Sequence, residues 1–404
     1  MSYPPPRPEL LALLNAAKAE PDDDTPRLVL ADWLQEQSDP ADVARGEWLR
    51  CLVDANRLIP EDPRRPELVQ RARELWEEHR VAWVVPLYQA GFEFPPDESA
   101  FRGGLLYPSA FGTELFQKKG QAVVGSEAFA WVGGLNFQRF TSLQMTKLLL
   151  SPVIESVTSL YFSSWVELRW TDFQKLAYSS RVGGLKTLHT HHARVGYQGG
   201  IALAKSPHLG GLRHLHLWNE RLDDVGFKAL CESEHLNELR SLVVPNCELS
   251  IHSARAFGEG TGLPALTELH LGGTNRIAGD GTLILVSHER TGRLKRLNLW
   301  SNDVGDYGTE AICRAGHMNR LTHLDLSSNL LTNRGAVALA GASHLGTLEE
   351  LNLRRNNIAG EGALALANSP HLTKLRRLDL SANRIGVKAG DALRERFGTR
   401  LVLT

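Results

Sequence analysis

Apolar residues recur along most of this chain as L-x-x-L-x-[LV], beginning at Leu212, Leu239, Leu266, Leu294, Leu321, Leu348 and Leu375. Successive starts are 27, 27, 28, 27, 27 and 27 residues apart, and a fixed period of this length is the mark of a solenoid. Upstream, Leu185-x-x-Leu188 continues the series at 27 residues and Val157-x-x-Leu160-x-Phe162 at 28, which makes nine repeats. Within one unit the alternation Leu351, Asn352, Leu353 predicts a strand, because successive side chains point to opposite faces. The leucines then face a core, while Glu350, Asn352 and Arg354 face out. After Ile358 the chain passes through a glycine-containing turn into Ala363-Leu364-Ala365-Leu366-Ala367, whose composition favours helix.

Stacking such units has a geometric consequence. Strands in a sheet sit roughly 4.8 Å apart and helix axes roughly 8–10 Å apart, so the stack bends. A parallel sheet lines the concave side and helices the convex side. No repeat buries its leucines alone, and stability comes from neighbouring interfaces. Asn302, Asn329, Asn356 and Asn383 recur at the ninth position, where the chain leaves the strand and backbone amides need partners; Cys247 holds that slot in its own repeat.

These residues resemble the ribonuclease-inhibitor-like class of leucine-rich repeats, with its consensus L-x-x-L-x-L-x-x-[NC]-x-[LI] and helical second half. The resemblance covers about residues 130–404 and implies an α/β fold: a leucine-rich-repeat solenoid, shaped as a horseshoe, with a small all-α domain in front of it. It weakens before Leu185. Trp165 occupies the asparagine slot, Trp170 and Phe173 fall in the helix, and Leu135-Asn-Phe137 reads as a further degenerate strand. Terminal repeats must cap an apolar face and are expected to be atypical. Leu401-Val-Leu403 reads as a closing strand.

Residues 1–90 lack the leucine period and are rich in Asp, Pro, Arg and Trp. Four helices are predicted, over Glu9–Glu20, Arg27–Gln37, Ala41–Leu58 and Glu67–Arg80, with Leu30, Trp33 and Leu34 on one face of the second. The turn Pro21-Asp22-Asp23-Asp24-Thr25-Pro26 is expected to cap that helix, and Pro60–Pro66 breaks the chain. The stretch from Glu20 to Gln37 followed by Gly46-Glu47-Trp48-Leu49-Arg50 resembles the repeat-companion domain at the head of many planctomycete proteins, as does the lead-in Phe101-Arg-Gly-Gly-Leu-Leu. That likeness implies a bacterial, modular protein and little about activity. The expected division is a helical domain over 1–90, a transition segment and cap over 91–156, and repeats with a C-terminal cap over 157–404.

Charge excludes some functions. The formal net charge is −1 and the pI about 7.0, so no global field recruits nucleic acid or an anionic membrane. Cys51, Cys231, Cys247 and Cys313 are far apart with no C-x-x-C, which fits a reduced, cytoplasmic protein. No apolar stretch has spanning length. Asp22–Asp24 and Asp32 read as helix caps; a calcium loop, an H-E-x-x-H motif, a Walker loop and a Ser/His/Asp arrangement are all missing. Neither an enzyme nor a cofactor is expected.

The outward strand positions are the candidate site. The early repeats place Tyr161, His189, His191, His214, His216 and Trp218 there, and the middle ones His270, Trp300 and His323. The last three carry Asp325, Glu350, Arg354, Arg377 and Asp379 instead. His208, His235, His317, His344 and His371 each precede a repeat's first leucine by four residues and are read as scaffold. Rigidly presented aromatic rings make good anchors, so a non-enzymatic scaffold for a protein or peptide is the leading reading. A His-rich metal surface is a second, although no cysteine or carboxylate completes the ligand set. Regulation of an enzyme, for example GTPase activation through a placed Arg or Asn, is a third.

Overall fold

The computed structural model describes residues 5–58, 62–94, 101–102, 104–110 and 122–403. Met1–Pro4, Gly103 of the predicted lead-in, the start of the Pro60–Pro66 break and Thr404 lie outside the described residues. The chain divides into two compact units, residues 1–168 with 179–189, and residues 169–178 with 190–404; the boundary falls inside the strand Thr187–His191.

The first unit begins with four helices, Pro8–Ala19, Thr25–Gln35, Pro40–Arg57 and Arg65–Gln89. Each buries an apolar stripe, and the indoles of Trp48, Trp76 and Trp83 meet with centroids 5.5–6.2 Å apart. The fourth helix runs nine residues past the predicted end at Arg80 because Trp83, Val84 and Leu87 continue its buried stripe, with Pro86 tolerated in its last turn. The expected cap is different. Asp24 makes no capping bond and instead pairs with Arg57 at 3.1 Å and Arg27 at 3.3 Å, while Asp23 takes the Thr25 amide at 2.8 Å. Asp32 pairs with Arg50. The dense local arginines outcompete the helix amides for these carboxylates.

Residues Phe101–Arg102 and Leu105–Leu106 form an antiparallel pair. Strands Ser109–Ala110, Gly134–Phe137 and Ser159–Phe162 are parallel, so the degenerate strand at Leu135 is real and one more precedes it. Here Phe137, Phe140 and Phe162 form the core with centroids 4.2–5.7 Å apart, in place of leucines.

The second unit is an open solenoid of parallel strands with intervening helices. Leu215, Leu242, Leu269, Leu297, Leu324, Leu351, Leu378 and Leu401 align in one continuous register, the last on the closing strand Leu401–Val402. The first seven are at most 2% exposed. Each strand leads to a helix, and these helices carry Gly226, Gly281, Gly308, Gly335 and Gly362 at one recurring slot. A Cβ at Gly308 would lie 3.1 Å from the Gly279 Cα, and one at Gly362 2.9 Å from the Asn333 Cα. Backbone packs on backbone there, at the usual cost of glycine inside a helix.

The asparagine slot bonds in both directions. Asn329 Oδ1 accepts from the Asn302 and Val304 amides at 2.8 and 3.2 Å, while its Nδ2 donates to Leu299 and Ser327 carbonyls at 2.8 and 3.0 Å. Asn356 repeats the pattern, and in the 28-residue repeat Asn275 moves one place along to do the same. The return loops are fixed more by serine than by histidine. Ser206, Ser233 and Ser369 donate to the carbonyls of Ala177, Ala204 and Ala340. Of the scaffold histidines, His317 bonds Thr291 at 2.9 Å and His344 the Ile312 carbonyl at 3.2 Å.

Four of the nine repeats depart from asparagine, with Trp165, Ala193, Glu220 and Cys247 at the slot, and the last two keep half of its bonding. Cys247 retains the donating half, with Sγ 2.9 Å from the Leu217 carbonyl. Glu220 retains the accepting half, taking the Ala193 and Val195 amides at 2.9 and 3.0 Å. It is 1% exposed, and burial pushes its carboxyl up to about 7.

Two outcomes follow from this packing. Leu324→Ala should lower unfolding free energy by about 2–5 kcal/mol in urea denaturation, as a core truncation; an unchanged midpoint would contradict its burial. For Glu220, folded and unfolded chains both hold the proton below about pH 4.5. Between there and about 7 only the unfolded chain ionises, so stability falls as pH rises through that window, by about 3 kcal/mol. Glu220→Gln should therefore gain stability over wild type at pH 8 but not at pH 4; an equal difference at both values would refute the assignment.

Candidate functional site

The strand register decides which side chains share the concave face. Leucines alternate inward, so Arg296, His323, Glu350 and Arg377 fall in one lateral row, and Asn298, Asp325, Asn352 and Asp379 in the next. Together with Glu268 and His270 they line a depression of about 250 Å³. Charges alternate along the first row, and His323 Nε2 stands 3.4 Å from Glu350. In the second row Asp325 accepts from three neighbours: Asn352 Nδ2 at 2.9 Å, Asn298 Nδ2 at 3.4 Å, and Ser327 through its Oγ at 2.6 Å and its amide at 2.8 Å. Asp379 binds Ser381 in the same way. These bonds pin the carboxylates before any partner arrives.

The aromatic candidates form a run beside this polar floor. His191 meets Trp218 edge to face with centroids 6.2 Å apart, and Trp218 meets His270 at 6.0 Å. Trp300 Nε1 then donates to His270 Nε2 at 2.9 Å, so the neutral His270 ring carries its proton on Nδ1. Gly272 makes the Trp300 position possible, because a Cβ there would lie 2.0 Å from the indole Cδ1. Burial holds His270 down at about 4, and it also lowers His191 and His323. The His323 shift comes from burial first and then from Arg296.

The remaining candidates are placed as follows. His214 and His216 are half-buried with rings 6.4 Å apart, and His216 Nε2 is 3.4 Å from Ser241. Tyr161 and His189 belong to the first unit, where the tyrosine ring lies 5.7 Å from His189 and 5.8 Å from Tyr107. Tyr107 was not nominated from sequence, and the groove residues Arg296, Asn298 and Asn352 were read there only as outward strand positions, outside the His/Trp candidates. Among the described residues, no three His, Cys, Asp or Glu side chains stand where they could hold one metal ion, and no helix is long and apolar enough to cross a membrane. Cys231, Cys247 and Cys313 are free thiols pushed up to about 12 by burial, which removes their nucleophilic form at neutral pH.

Residues 317–340, 344–367 and 371–393 match the family model for leucine-rich repeats. These matches, with the parallel-strand solenoid around them, show that the chain carries leucine-rich repeats. No curated relative matches the sequence. Among solved structures, it is similar to the complex of Rad7 and Elc1 in yeast, at 14% identity and a TM-score of 0.47 over 93% of this chain and 94% of that one. It is also similar to an internalin of Listeria monocytogenes, at 15% identity and TM-score 0.38 over 67% and 81%. A leucine-rich-repeat protein of Leptospira interrogans shares 16% identity at TM-score 0.35 over 70% and 74%.

A histidine-selective NMR titration tests the electrostatics of this face. The His270 ring should stay neutral from pH 7.5 down to 5.5, its signals flat across that range. A midpoint above 6 would contradict the burial that Trp300 imposes on it.

Proposed function

We propose that the chain is a non-enzymatic interaction scaffold and that its concave strand face binds a protein or peptide. The observation that carries this reading is the groove from Glu268 to Asp379, where Glu350 lies between exposed Arg296 and Arg377 in one row, the next row holds the pinned Asp325 and Asp379, and an aromatic run adjoins both. An extended peptide offering both charge signs and one aromatic side chain matches it. Rigid aromatic and arginine groups are the residue types that dominate binding energy at interfaces, and pre-bonded side chains lose little freedom on binding. The partner-facing residues in this reading are His191, His214, His216, Trp218, His270, Trp300 and His323 with the groove residues, and Tyr161 and His189 on the first unit.

The same reading extends to origin and class. The 27/28-residue period with a helix of about two turns or more in each repeat supports the ribonuclease-inhibitor-like subtype. The four leading helices, which end at Gln89, support a companion-type helical domain ending near residue 90; its planctomycete type, a cytoplasmic setting and a boundary at residue 156 are proposed with it.

Selection of displayed peptides on the full chain tests the binding face. Enriched peptides should carry both acidic and basic residues, and an Arg296→Ala/Glu350→Ala variant should bind them at least about tenfold more weakly, a loss near 1.4 kcal/mol. Tyr307→Ala, an exposed position on a helix, should leave affinity unchanged. Peptides bound equally by the groove variant, or lost with Tyr307→Ala, would move the site elsewhere.

A further inference from the structure

The first unit contains a second cavity, of about 460 Å³, bordered by Arg7, Asp39, Asp42, Arg45, Trp83 and Glu127. Arg45 is 7% exposed. Its guanidinium lies over the face of Trp131, 3.6 Å from the ring centroid, with the Trp83 ring 5.3 Å away. Stacking of this kind satisfies the faces of the ion and leaves its N–H edge to be satisfied by acceptors. Among the described residues, Nε and Nη2 of Arg45 have no hydrogen-bond partner, nor has the indole Nε1 of Trp83. Three buried donors beside one cavity is a costly arrangement, since each unmet donor retains its desolvation penalty.

The nearby carboxylates do not relieve it, because Arg7 occupies them. Its side chain grips Asp42 through both terminal nitrogens, and it grips Glu127 through Nη2 at 2.8 Å, Nε at 3.1 Å and its backbone amide at 3.3 Å. Asp42 and Glu127 thus balance the charge of Arg7 and Arg45 without bonding Arg45. Burial brings the Arg45 guanidinium down to about 9, which leaves it cationic at neutral pH.

We propose that this cavity binds a carboxylate, with the Nε/Nη2 fork of Arg45 taking its two oxygens and the Trp83 indole donating to one of them. The fork geometry matches a planar two-oxygen acceptor. Charge favours the smaller anion: Arg7 and Arg45 are matched by Asp42 and Glu127, and Asp39 lies at the border, so a carboxylate meets less repulsion than a phosphate dianion. All three donors are buried in the present side-chain positions, so binding requires the Arg45 and Trp83 side chains to shift toward the cavity. The volume leaves room beyond the carboxylate itself, so the ligand is a small free acid or the C-terminus of a peptide.

Full-length protein labelled with nitrogen-15 at tryptophan and arginine provides the test, read at the Trp83 indole and Arg45 Nε–H signals at constant ionic strength. Sodium acetate should shift both signals saturably below about 50 mM, the millimolar regime expected of so small a ligand. A tripeptide acid shifting them at lower concentration than acetate, with its amide inert, identifies a chain end; acetate acting as strongly as the tripeptide identifies a free acid. Arg45→Lys should lose the response at least tenfold while retaining the charge. Should that variant fail to fold, Trp83→Phe retains the ring, loses one donor and should weaken binding several-fold. Silence of both signals toward acetate and tripeptide, equal shifts from phosphate or chloride, or a crystal structure with ordered water alone at the fork would overturn the proposal.

Discussion

A two-way hydrogen bond from one side chain per repeat holds the second unit together. Where the chain turns out of each strand, its amides and carbonyls need partners outside the strand itself, and burial there without them would cost about 1–3 kcal/mol for each unmet group. Asparagine is the one short side chain carrying an acceptor and two donors. Asn275, Asn302, Asn329 and Asn356 therefore join consecutive turns, with each oxygen serving the repeat before it and each nitrogen the carbonyls around it. Leucine burial supplies the driving force, but this ladder fixes the spacing at which it is collected.

That division of labour explains what the sequence disclosed. Leucine and asparagine recur because every repeat solves the same two problems, so the strands, their register and the closing strand at Leu401 could be read directly. The first repeats solve the packing problem with Phe137, Phe140 and Phe162, and the strand at Ser109 carries no leucine at all; periodicity loses its grip there. The candidate site was legible only in part. Outward positions follow from register, yet which of them cooperate depends on side-chain reach, as when Trp300 crosses Gly272 to meet His270. Nor could spacing reveal that Asp325 and Asp379 are held by their own serines.

The helical segment at the head of the chain follows different rules. Its stability rests on a few large rings and on arginine pairs rather than on a repeated unit. Asp24 and Asp32 were readable as helix-cap residues by composition, but a carboxylate beside several arginines takes the stronger, charge-assisted bond. The same competition leaves Arg45 stacked on Trp131 while Arg7 takes both nearby acids. Residues far apart in sequence, from Arg7 to Glu127, meet in this arrangement, and no local pattern announces it.

The glycine slot on the helices reaches the concave face indirectly. An arc of stacked repeats has a radius set by the difference between its inner and outer spacings, the inner one fixed by strand hydrogen bonds. Bare backbone contact at Gly308 and Gly362 shortens the outer spacing, which enlarges the radius and opens the inner surface. A row of alanines or serines there would wedge the helices apart and curl the unit more tightly. Curvature in this solenoid is thus a dimension tuned from its back, one methyl group at a time.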